Sequence, residues 1–220
     1  MIIKHYQLEN FNLNKFIFFL IYGKNEGLQK EIIEKKFTNS FLGEINRYEE
    51  NEVLSNSESI ISEILNKSLF SNNKIIIITR ASDKILKIIE KLLEKKLSDI
   101  KIIIKSGQLE KKSKLRNLFE KNKDMVTMPV YQDEFRSLLP IIIQFTKKND
   151  IKLSRESINL ILDRASGSRE NLYIELEKIF NYSISNKVIE FETVKKLTNL
   201  SENYGVNELA NQYLSKNKKI

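Results

Sequence analysis

The chain contains no cysteine and a single histidine, His5, among its 220 residues. Disulfide bonds are therefore excluded, and so is a metal site built on thiolates. One histidine cannot form a multi-histidine metal cluster, and its place near the amino terminus favours an exposed side chain over a partner for a catalytic serine. These absences exclude several classes of enzyme before any motif is considered.

Glycine and proline are scarce, with six and two residues, whereas an all-β chain with many tight turns needs more of both. Long hydrophobic runs are also missing, because the most apolar stretch, Phe16–Tyr22, is shorter than the ~20 residues that span a bilayer. The acidic Glu9 before this stretch and the polar loop after it do not fit a signal peptide. We therefore interpret the stretch as a buried strand and expect a cytosolic protein without membrane contact.

Hydrophobic residues make up 41% of the chain and charged residues 30%, with a formal net charge of +8. This composition is typical of a soluble globular protein. The positive charge has two interpretations. It can attract nucleic acid or an acidic protein surface, or it can reflect a genome whose A/T-rich codons favour Lys, Asn and Ile. Because the basic residues are spread along the chain, we treat DNA contact as secondary.

The first part of the chain alternates short apolar runs with amphipathic helical patterns. The runs lie at residues 16–22, 74–79, 100–105 and 125–130. In the second run, four successive isoleucines, Ile75–Ile78, are apolar on both faces, as a central parallel strand requires. Asp83 is predicted to cap the helix that follows this run. The pattern predicts an α/β domain over residues 1–131, with a parallel sheet flanked by helices on both faces.

From residue 132 onward the strand signals cease and helical patterns continue. Ser154 and Ser168 each precede an apolar helical stripe, so both are predicted to be N-caps. The pattern predicts a small all-α, lid-like domain over residues 132–204. We interpret residues 205–220 as the beginning of a further helical domain that this chain does not complete.

The loop Gly23-Lys24-Asn25-Glu26-Gly27 lies between a strand and a helix, where a phosphate-binding loop belongs. Such a loop needs a Gly-Lys-Ser/Thr sequence after four intervening residues. Here that position holds Leu28-Gln29-Lys30, with no hydroxyl for Mg²⁺, and Glu26 would repel a phosphate. The run at 74–79 also lacks an acidic pair that could hold a metal. Gly23, Lys24 and Gly27 therefore mark a degenerate loop, and we expect no ATP hydrolysis, no cofactor and no metal site.

Ser68-Leu69-Phe70 follows an amphipathic helix and precedes a polar turn. One interpretation is an exposed apolar pair that docks into a partner, where each side chain could contribute ~1.5–3 kcal/mol. The other interpretation is that both side chains pack beneath the helix, and the pattern alone favours this second one.

Two polar groups in the second half of the chain have comparable alternatives. Arg169, in Gly167-Ser168-Arg169, could be presented at the start of a helix, but a helix cap on a surface turn is the simpler interpretation. Glu175 and Glu177 are predicted to lie on a solvated helix face, since neither has a base or a metal ligand nearby in sequence.

Taken together, several of these segments resemble the delta subunits of bacterial DNA polymerase III clamp loaders, which are AAA+-like proteins. The resemblance extends over about residues 17–215 and rests on the order and spacing of the set, because no single motif is specific. The segments are Leu20–Leu28, Ser68–Phe70, Ile102–Leu109 with Lys111, Ser113, Leu115 and Arg116, Gly167–Leu172, and Glu175–Lys178.

The resemblance implies an ATPase-like fold that neither binds nor cleaves ATP. It implies that the protein binds the ring-shaped sliding clamp (the beta subunit) and opens the ring for loading onto primed DNA. The Leu-Phe pair that enters a pocket on the clamp would be Leu69 and Phe70, with Ser68 before it. Its other partners would be the gamma/tau and delta prime subunits, within a DNA-directed DNA polymerase (nucleotidyltransferase) holoenzyme in the cytoplasm.

The sequence departs from the family pattern at two places. The glutamine that opens the wider clamp-binding pattern in some members would fall at Leu65, which removes that polar contact. In addition, we expect only the first helix of the C-terminal collar domain that assembles the loader, from about Val206, so that either this chain is a fragment or the collar is lost. Two alternative functions remain at this point: a divergent nucleotide-binding ATPase, and a basic DNA-binding protein driven by the net charge.

Overall fold

A computed structural model describes residues 1–66, 73–95 and 97–198 of the chain. The chain divides into two compact units, Met1–Gln132 and Asp133–Ile220. The predicted collar at residues 205–220 and the end of the predicted lid-like domain lie outside the described residues. Within those residues, no helix is long and apolar enough to cross a bilayer.

The first unit is built on a five-stranded parallel sheet with the strand order β2-β3-β4-β1-β5. Strand β1 pairs with β4 on one side and with β5 on the other, so that Leu20 faces Ile104 and Thr127. The strands are β1 (Phe18–Gly23), β2 (Glu44–Glu49), β3 (Lys74–Thr79), β4 (Ile100–Ser106) and β5 (Met125–Val130).

The central strands are apolar on both faces because each face is covered by helices. Along β1, Leu20 contributes to the hydrophobic cluster on one face, and Phe19 and Ile21 contribute to the cluster on the other. Alternate residues of a strand point to opposite faces, so a strand buried on both sides must be apolar at every position. This explains the runs of isoleucine and confirms the predicted α/β fold class.

Strand β2 was missed from the sequence. Its residues, Glu44–Glu49, combine charged and apolar side chains, and only Tyr48 is fully buried. The strand lies at the edge of the sheet and pairs with β3 alone. An edge strand can keep polar side chains in water, so it lacks the continuous apolar run that revealed the other strands.

The helices of the first unit connect the strands and cover the sheet. They are α1 (Glu26–Ile33), α2 (Glu50–Ser55), α3 (Ser57–Leu65), α4 (Leu86–Leu93) and α5 (Lys114–Lys121). Helix α1 continues into a π-helical turn, Glu34–Thr38. The predicted cap at Asp83 is wrong, since Ser82 accepts the capping hydrogen bond from the Lys84 amide.

The described part of the second unit is helical, as its patterns predicted. Its helices are α6 (Phe135–Lys148), α7 (Arg155–Ala165), α8 (Arg169–Ser183) and α9 (Phe191–Leu197). The predicted N-caps are confirmed, because Ser154 accepts a hydrogen bond from the Ser157 amide and Ser168 accepts one from the Asn171 amide. A separate hydrophobic core joins the four helices, with Ile142, Ile161 and Leu176 fully buried.

The prediction that Glu175 is solvated is wrong. Glu175 is buried, and its carboxylate accepts a hydrogen bond from Lys178 Nζ at 2.9 Å. The lysine lies three residues along the same helix, where a side chain can reach back to neutralise the carboxylate. The residue therefore lies on the packed side of α8.

Candidate functional site

Open parallel sheets commonly bind ligands at the carboxyl ends of their strands, at the point where the strand order reverses. In this sheet the end of β1 lies at that edge. In this chain the connection is very short. Strand β1 ends at Gly23 and helix α1 begins at Glu26, so that only Lys24 and Asn25 lie between them. A phosphate-binding loop needs several residues whose amides point at the ligand. The observed connection is too short to form that loop.

Several amides at the start of α1 already have acceptors within the chain. Asn25 Oδ1 accepts a hydrogen bond from the Leu28 amide at 2.9 Å, and Asn25 O accepts one from the Gln29 amide at 3.0 Å. The Glu26 amide donates to Lys24 O at 3.1 Å. Free amides at a helix N-terminus are what attract an anion, and in this helix those of Glu26 and Leu28 already have acceptors within the chain.

Gly23 is fixed in place by its neighbours. Its φ angle is +142°, and a Cβ added to it would overlap the carbonyl oxygen of Val130 on β5. Its amide donates to Gly107 O, just beyond β4, at 3.1 Å. A residue with a side chain therefore fits neither the backbone conformation nor the space.

The buried side chain of Gln29 joins the ends of two strands. Gln29 Nε2 donates to Gly23 O at 2.8 Å and to Ser106 O at 3.0 Å. Ser106 Oγ in turn donates to Ala81 O at 2.5 Å, beyond the end of β3. These hydrogen bonds close the carboxyl edge of the sheet (the ends of β1, β3 and β4). Gln29 was missed from the sequence, although it stands as a polar residue on the buried stripe Leu28, Ile32, Ile33.

The degenerate loop contributes little else to this edge. Lys24 is exposed, and Gly27 lies within the first turn of α1. The Glu26 carboxylate lies 3.8 Å from Lys105 Nζ, which places an acidic charge in the first turn of α1.

A pocket of about 270 Å³ opens beside the end of β1. It is smaller than the ~300–1,000 Å³ typical of small-molecule sites. Its polar wall is a network in which Tyr22 Oη donates to Glu120 Oε1 at 3.2 Å and Arg116 Nε donates to the same oxygen at 2.8 Å. Burial raises the pKa of Tyr22 to about 12, with Arg116 opposing the rise and Glu120 adding to it. The phenol is therefore protonated at neutral pH and serves as a hydrogen-bond donor.

Asp83 has a different role from the predicted one. Its carboxylate accepts hydrogen bonds from Ser113 Oγ at 2.6 Å and from the amides of Lys114 and Leu115, both at 3.0 Å. Burial alone would raise the pKa of Asp83, but these hydrogen bonds outweigh it and lower the pKa below its usual value. Asp83 thus adds a second acceptor at the start of α5, about thirty residues further along the chain, where Ser113 is the N-cap residue.

Arg169 is held within the second unit. Its guanidinium forms two hydrogen bonds with the Asp133 carboxylate, Nε to Oδ2 at 2.9 Å and Nη2 to Oδ1 at 2.8 Å. Both side chains are almost fully buried. The interpretation of Ser168 as a helix cap is confirmed, but Arg169 itself faces inward and is engaged in this bidentate pair.

The candidate docking residues Ser68, Leu69 and Phe70 lie outside the described residues. The structure does describe both flanks of their segment: α3 ends at Leu65, which is partly exposed, and β3 begins at Lys74. Lys74 is buried and joins these flanks. Its Nζ donates to Glu63 O at 3.0 Å and to Asn66 O at 3.3 Å, at the carboxyl end of α3.

Among the described residues, no group of three or more His, Cys, Asp or Glu side chains is arranged to hold a metal ion. From the sequence we predicted no catalytic residue and no metal ligand. We also predicted that Gly23, Lys24 and Gly27 belong to a degenerate phosphate-binding loop. What the structure adds is the set of internal hydrogen bonds that occupies this edge.

No protein-family model and no curated protein matches the sequence. Solved structures do match the fold. A DNA clamp loader delta protein from Bacillus subtilis aligns with a TM-score of 0.57 and 12% identity, over 98% of this chain and 71% of that chain. The resemblance seen in the sequence thus has a structural counterpart that covers nearly all of the chain.

The RuvB Holliday junction branch migration motor from Thermotoga maritima aligns with a TM-score of 0.54 and 14% identity, over 81% of this chain and 60% of that chain. A RuvB variant from the same organism gives a TM-score of 0.58 and 15% identity, over 87% and 65% of the two chains. This chain therefore spans less than two thirds of RuvB. At such identities the comparisons establish the fold alone, a parallel α/β sheet followed by helices.

Proposed function

We propose that this chain is the delta subunit of a bacterial clamp loader, which binds the sliding clamp and opens its ring for loading onto primed DNA. The observation that carries the proposal is the likeness to a clamp loader delta protein over 98% of this chain. The occupied carboxyl edge of the sheet supports it, because a subunit of this fold without a phosphate loop acts by binding.

The proposed contact residues are Leu69 and Phe70, preceded by Ser68, in the segment between α3 and β3. In this proposal both side chains enter an apolar pocket on the clamp. A ligand shifts a conformational equilibrium only by its differential affinity for the two states. Ring opening therefore requires that the chain bind the open clamp more tightly than the closed clamp.

The remaining partners follow from the same proposal. The gamma/tau and delta prime subunits would assemble with this chain in the DNA polymerase III holoenzyme, in the cytoplasm, and primed DNA would be contacted through the complex. ATP bound by neighbouring subunits would control when the clamp-binding surface is accessible.

The test is the affinity of this chain for a bacterial sliding clamp, measured by calorimetry for the parent and for Leu69→Ala/Phe70→Ala. Removal of both apolar anchors is expected to weaken binding by about 100-fold or more, since each contributes ~1.5–3 kcal/mol when buried. The control is Ile184→Ala/Val188→Ala, which alters two exposed apolar residues of the second unit. Equal loss in both variants, or no clamp binding by the parent, would contradict the proposal.

Ring opening needs its own measurement. Two fluorophores placed across one clamp interface should separate when the parent chain is added, and should not separate with Leu69→Ala/Phe70→Ala. Two further readouts address the alternatives. An ATPase predicts a thermal shift with Mg-ATP, and a DNA-binding protein predicts tight, steeply salt-dependent duplex binding without any partner.

A further inference from the structure

The amino edge of the sheet in the first unit contains a pocket of about 370 Å³. This volume lies within the ~300–1,000 Å³ that is typical of small-molecule sites, whereas the pocket beside the end of β1 is smaller. The pocket is bordered by the segment that leads into β1, the turn before β2, and the starts of β3 and β4. It is therefore built from four parts of the first unit that only the fold brings together.

The apolar residues that line this pocket are held in place by the core. Phe16 stacks on Phe11, with 5.5 Å between the two ring centroids. Phe41 packs against the hydrophobic cluster that contains Phe37, and Ile100 is buried at the start of β4. Walls that are fixed before a ligand arrives reduce the conformational entropy that is lost on binding.

A lysine and an asparagine form the polar wall of the pocket. Lys101 Nζ donates to Leu13 O at 3.1 Å and to Asn14 Oδ1 at 3.2 Å. Because Asn14 and Lys101 both line the pocket, the second hydrogen bond places the ammonium group at the wall. It also orients the Asn14 amide, since Oδ1 is used as the acceptor and Nδ2 is left to donate to a ligand.

The positive charge of Lys101 has no carboxylate as a partner in the part of the chain that the structure describes. Its hydrogen-bond acceptors are neutral oxygens, and its Nζ lies 5.6 Å from the centroid of the Phe19 ring. Lys105, on the same strand, differs because its Nζ lies 3.8 Å from the Glu26 carboxylate. Burial lowers the pKa of Lys101, since a charged group loses hydration there. Such an ammonium group favours an anion that enters the pocket.

We propose that this pocket binds a small carboxylate that has an apolar body. The carboxylate accepts hydrogen bonds from Lys101 Nζ and Asn14 Nδ2, and the apolar body lies against Phe16, Phe41 and Ile100. A pocket with apolar walls and a few convergent polar groups is the usual form of a small-molecule site. The inference does not depend on the proposed clamp-loader function, and the pocket lies at the opposite edge of the sheet from the degenerate loop.

The first experiment is an NMR titration of the full chain with phenylacetate, phenylacetamide and acetate. Phenylacetate should shift the amide resonances of Asn14 and Lys101 until the site is saturated. Phenylacetamide has nearly the same shape without the charge, and it should bind about tenfold more weakly because it lacks the charge-assisted hydrogen bonds. Acetate lacks the apolar body, and it should also bind about tenfold more weakly.

The second experiment repeats the titration with variants. Lys101→Met keeps the apolar stem of the side chain, and it should weaken phenylacetate binding about tenfold and abolish the preference for phenylacetate over phenylacetamide. The matched control is Lys105→Met, which should bind like the parent because Lys105 does not line the pocket. A change in stability alone would not remove the preference between the two ligands.

A third variant tests the sign of the charge effect. Asp99 is the acidic residue among the described residues that line the pocket. Asp99→Asn should strengthen phenylacetate binding about threefold, because a negative charge near the ligand is removed. Asparagine suits this position, where φ is +61°.

The outcomes decide for or against the carboxylate site. A preference for phenylacetate that is lost in Lys101→Met and kept in Lys105→Met supports it. The site is wrong if phenylacetate and phenylacetamide bind the parent equally, if phenylacetate leaves the resonances of Asn14 and Lys101 unshifted, or if the two lysine variants bind phenylacetate equally. None of these results changes the test of clamp binding, which uses Leu69→Ala/Phe70→Ala.

Discussion

The two edges of the parallel sheet in the first unit differ in how they use their polar and apolar groups. At the carboxyl edge, Gln29 Nε2 donates to Gly23 O and to Ser106 O and so joins the ends of β1 and β4. At the amino edge, Leu42 projects fully into solvent and Lys74 joins the flanks of the proposed docking segment. The carboxyl edge, where folds of this type bind a ligand, is thus tied together by internal hydrogen bonds, and the opposite edge carries an exposed apolar side chain.

The difference separates the demands of a phosphate site from those of a protein contact. A phosphate site requires amides that have no partner in the free protein, because the ligand must become that partner. In this chain Asn25 and Lys24 supply the acceptors, so the same amides stabilise the fold. A protein contact requires an exposed apolar side chain on a rigid support, and it places no demand on the carboxyl edge.

The largest expected effect is a loss of stability when Gly23, at the carboxyl edge, is replaced. The change Gly23→Ala introduces a Cβ that overlaps Val130 O in a backbone conformation with positive φ. We expect the free energy of unfolding to fall by about 3 kcal/mol or more, measured by urea denaturation. The control is Gly107→Ala, where an added Cβ meets no atom within 4 Å. Similar losses in the two variants would show that the edge is not sterically closed.

The next effect is expected at Gln29. The change Gln29→Met keeps the length of the side chain and removes both hydrogen bonds, to Gly23 O and Ser106 O. The expected loss is about 2–3 kcal/mol of unfolding free energy, at ~1–1.5 kcal/mol for each buried hydrogen bond. Amide exchange at Gly23 should also rise. An unchanged denaturation midpoint would mean that these bonds do not secure the strand ends.

A smaller and pH-dependent effect is expected at Asp83. Its pKa is lowered in the folded state, so the stabilisation is fully present above the usual aspartate pKa near 4 and is lost as the pH falls through the folded-state value. The change Asp83→Asn should cost about 1 kcal/mol at pH 7, as loss of a charged helix cap does. The difference between parent and variant should shrink as urea denaturation is repeated toward pH 3. A constant difference at all pH values would exclude the charged carboxylate as its cause.

The smallest effect is expected at the amino edge, in Lys74→Met, where the change loosens the flanks of the docking segment without removing its apolar pair. Hydrogen exchange in peptides that cover the end of α3, residues 60–66, should rise several-fold, and clamp binding should weaken about threefold. The matched control is Lys101→Met, because Lys101 Nζ donates to Leu13 O at 3.1 Å and not to these flanks. If the two variants change exchange and binding equally, Lys74 does not position the segment.

Much of the fold could be predicted from the sequence. The apolar runs located β1, β3, β4 and β5, and the serine caps at Ser154 and Ser168 marked two helix starts. Strand β2 could not be found in this way, because an edge strand mixes Glu44 and Arg47 with apolar residues. Less of the site could be predicted. The sequence showed that a phosphate motif is absent, but the roles of Gln29 and Asp83 could not be predicted because their partners are far away in the chain. Leu69 and Phe70 remain a prediction from sequence.

The sequence by itself determined where most of the strands and helices form, because hydrophobic period and local capping act over a few residues. The tertiary structure decided which polar groups meet. The strand order places β1 between β4 and β5, and this order brings Gly23 against Val130 and Gln29 against Ser106. It also brings the turn at Leu42 beside Asn73, because β2 and β3 are neighbours. Hydrogen bonds and close contacts act over a few ångströms, so these pairings exist only once distant segments have been brought together.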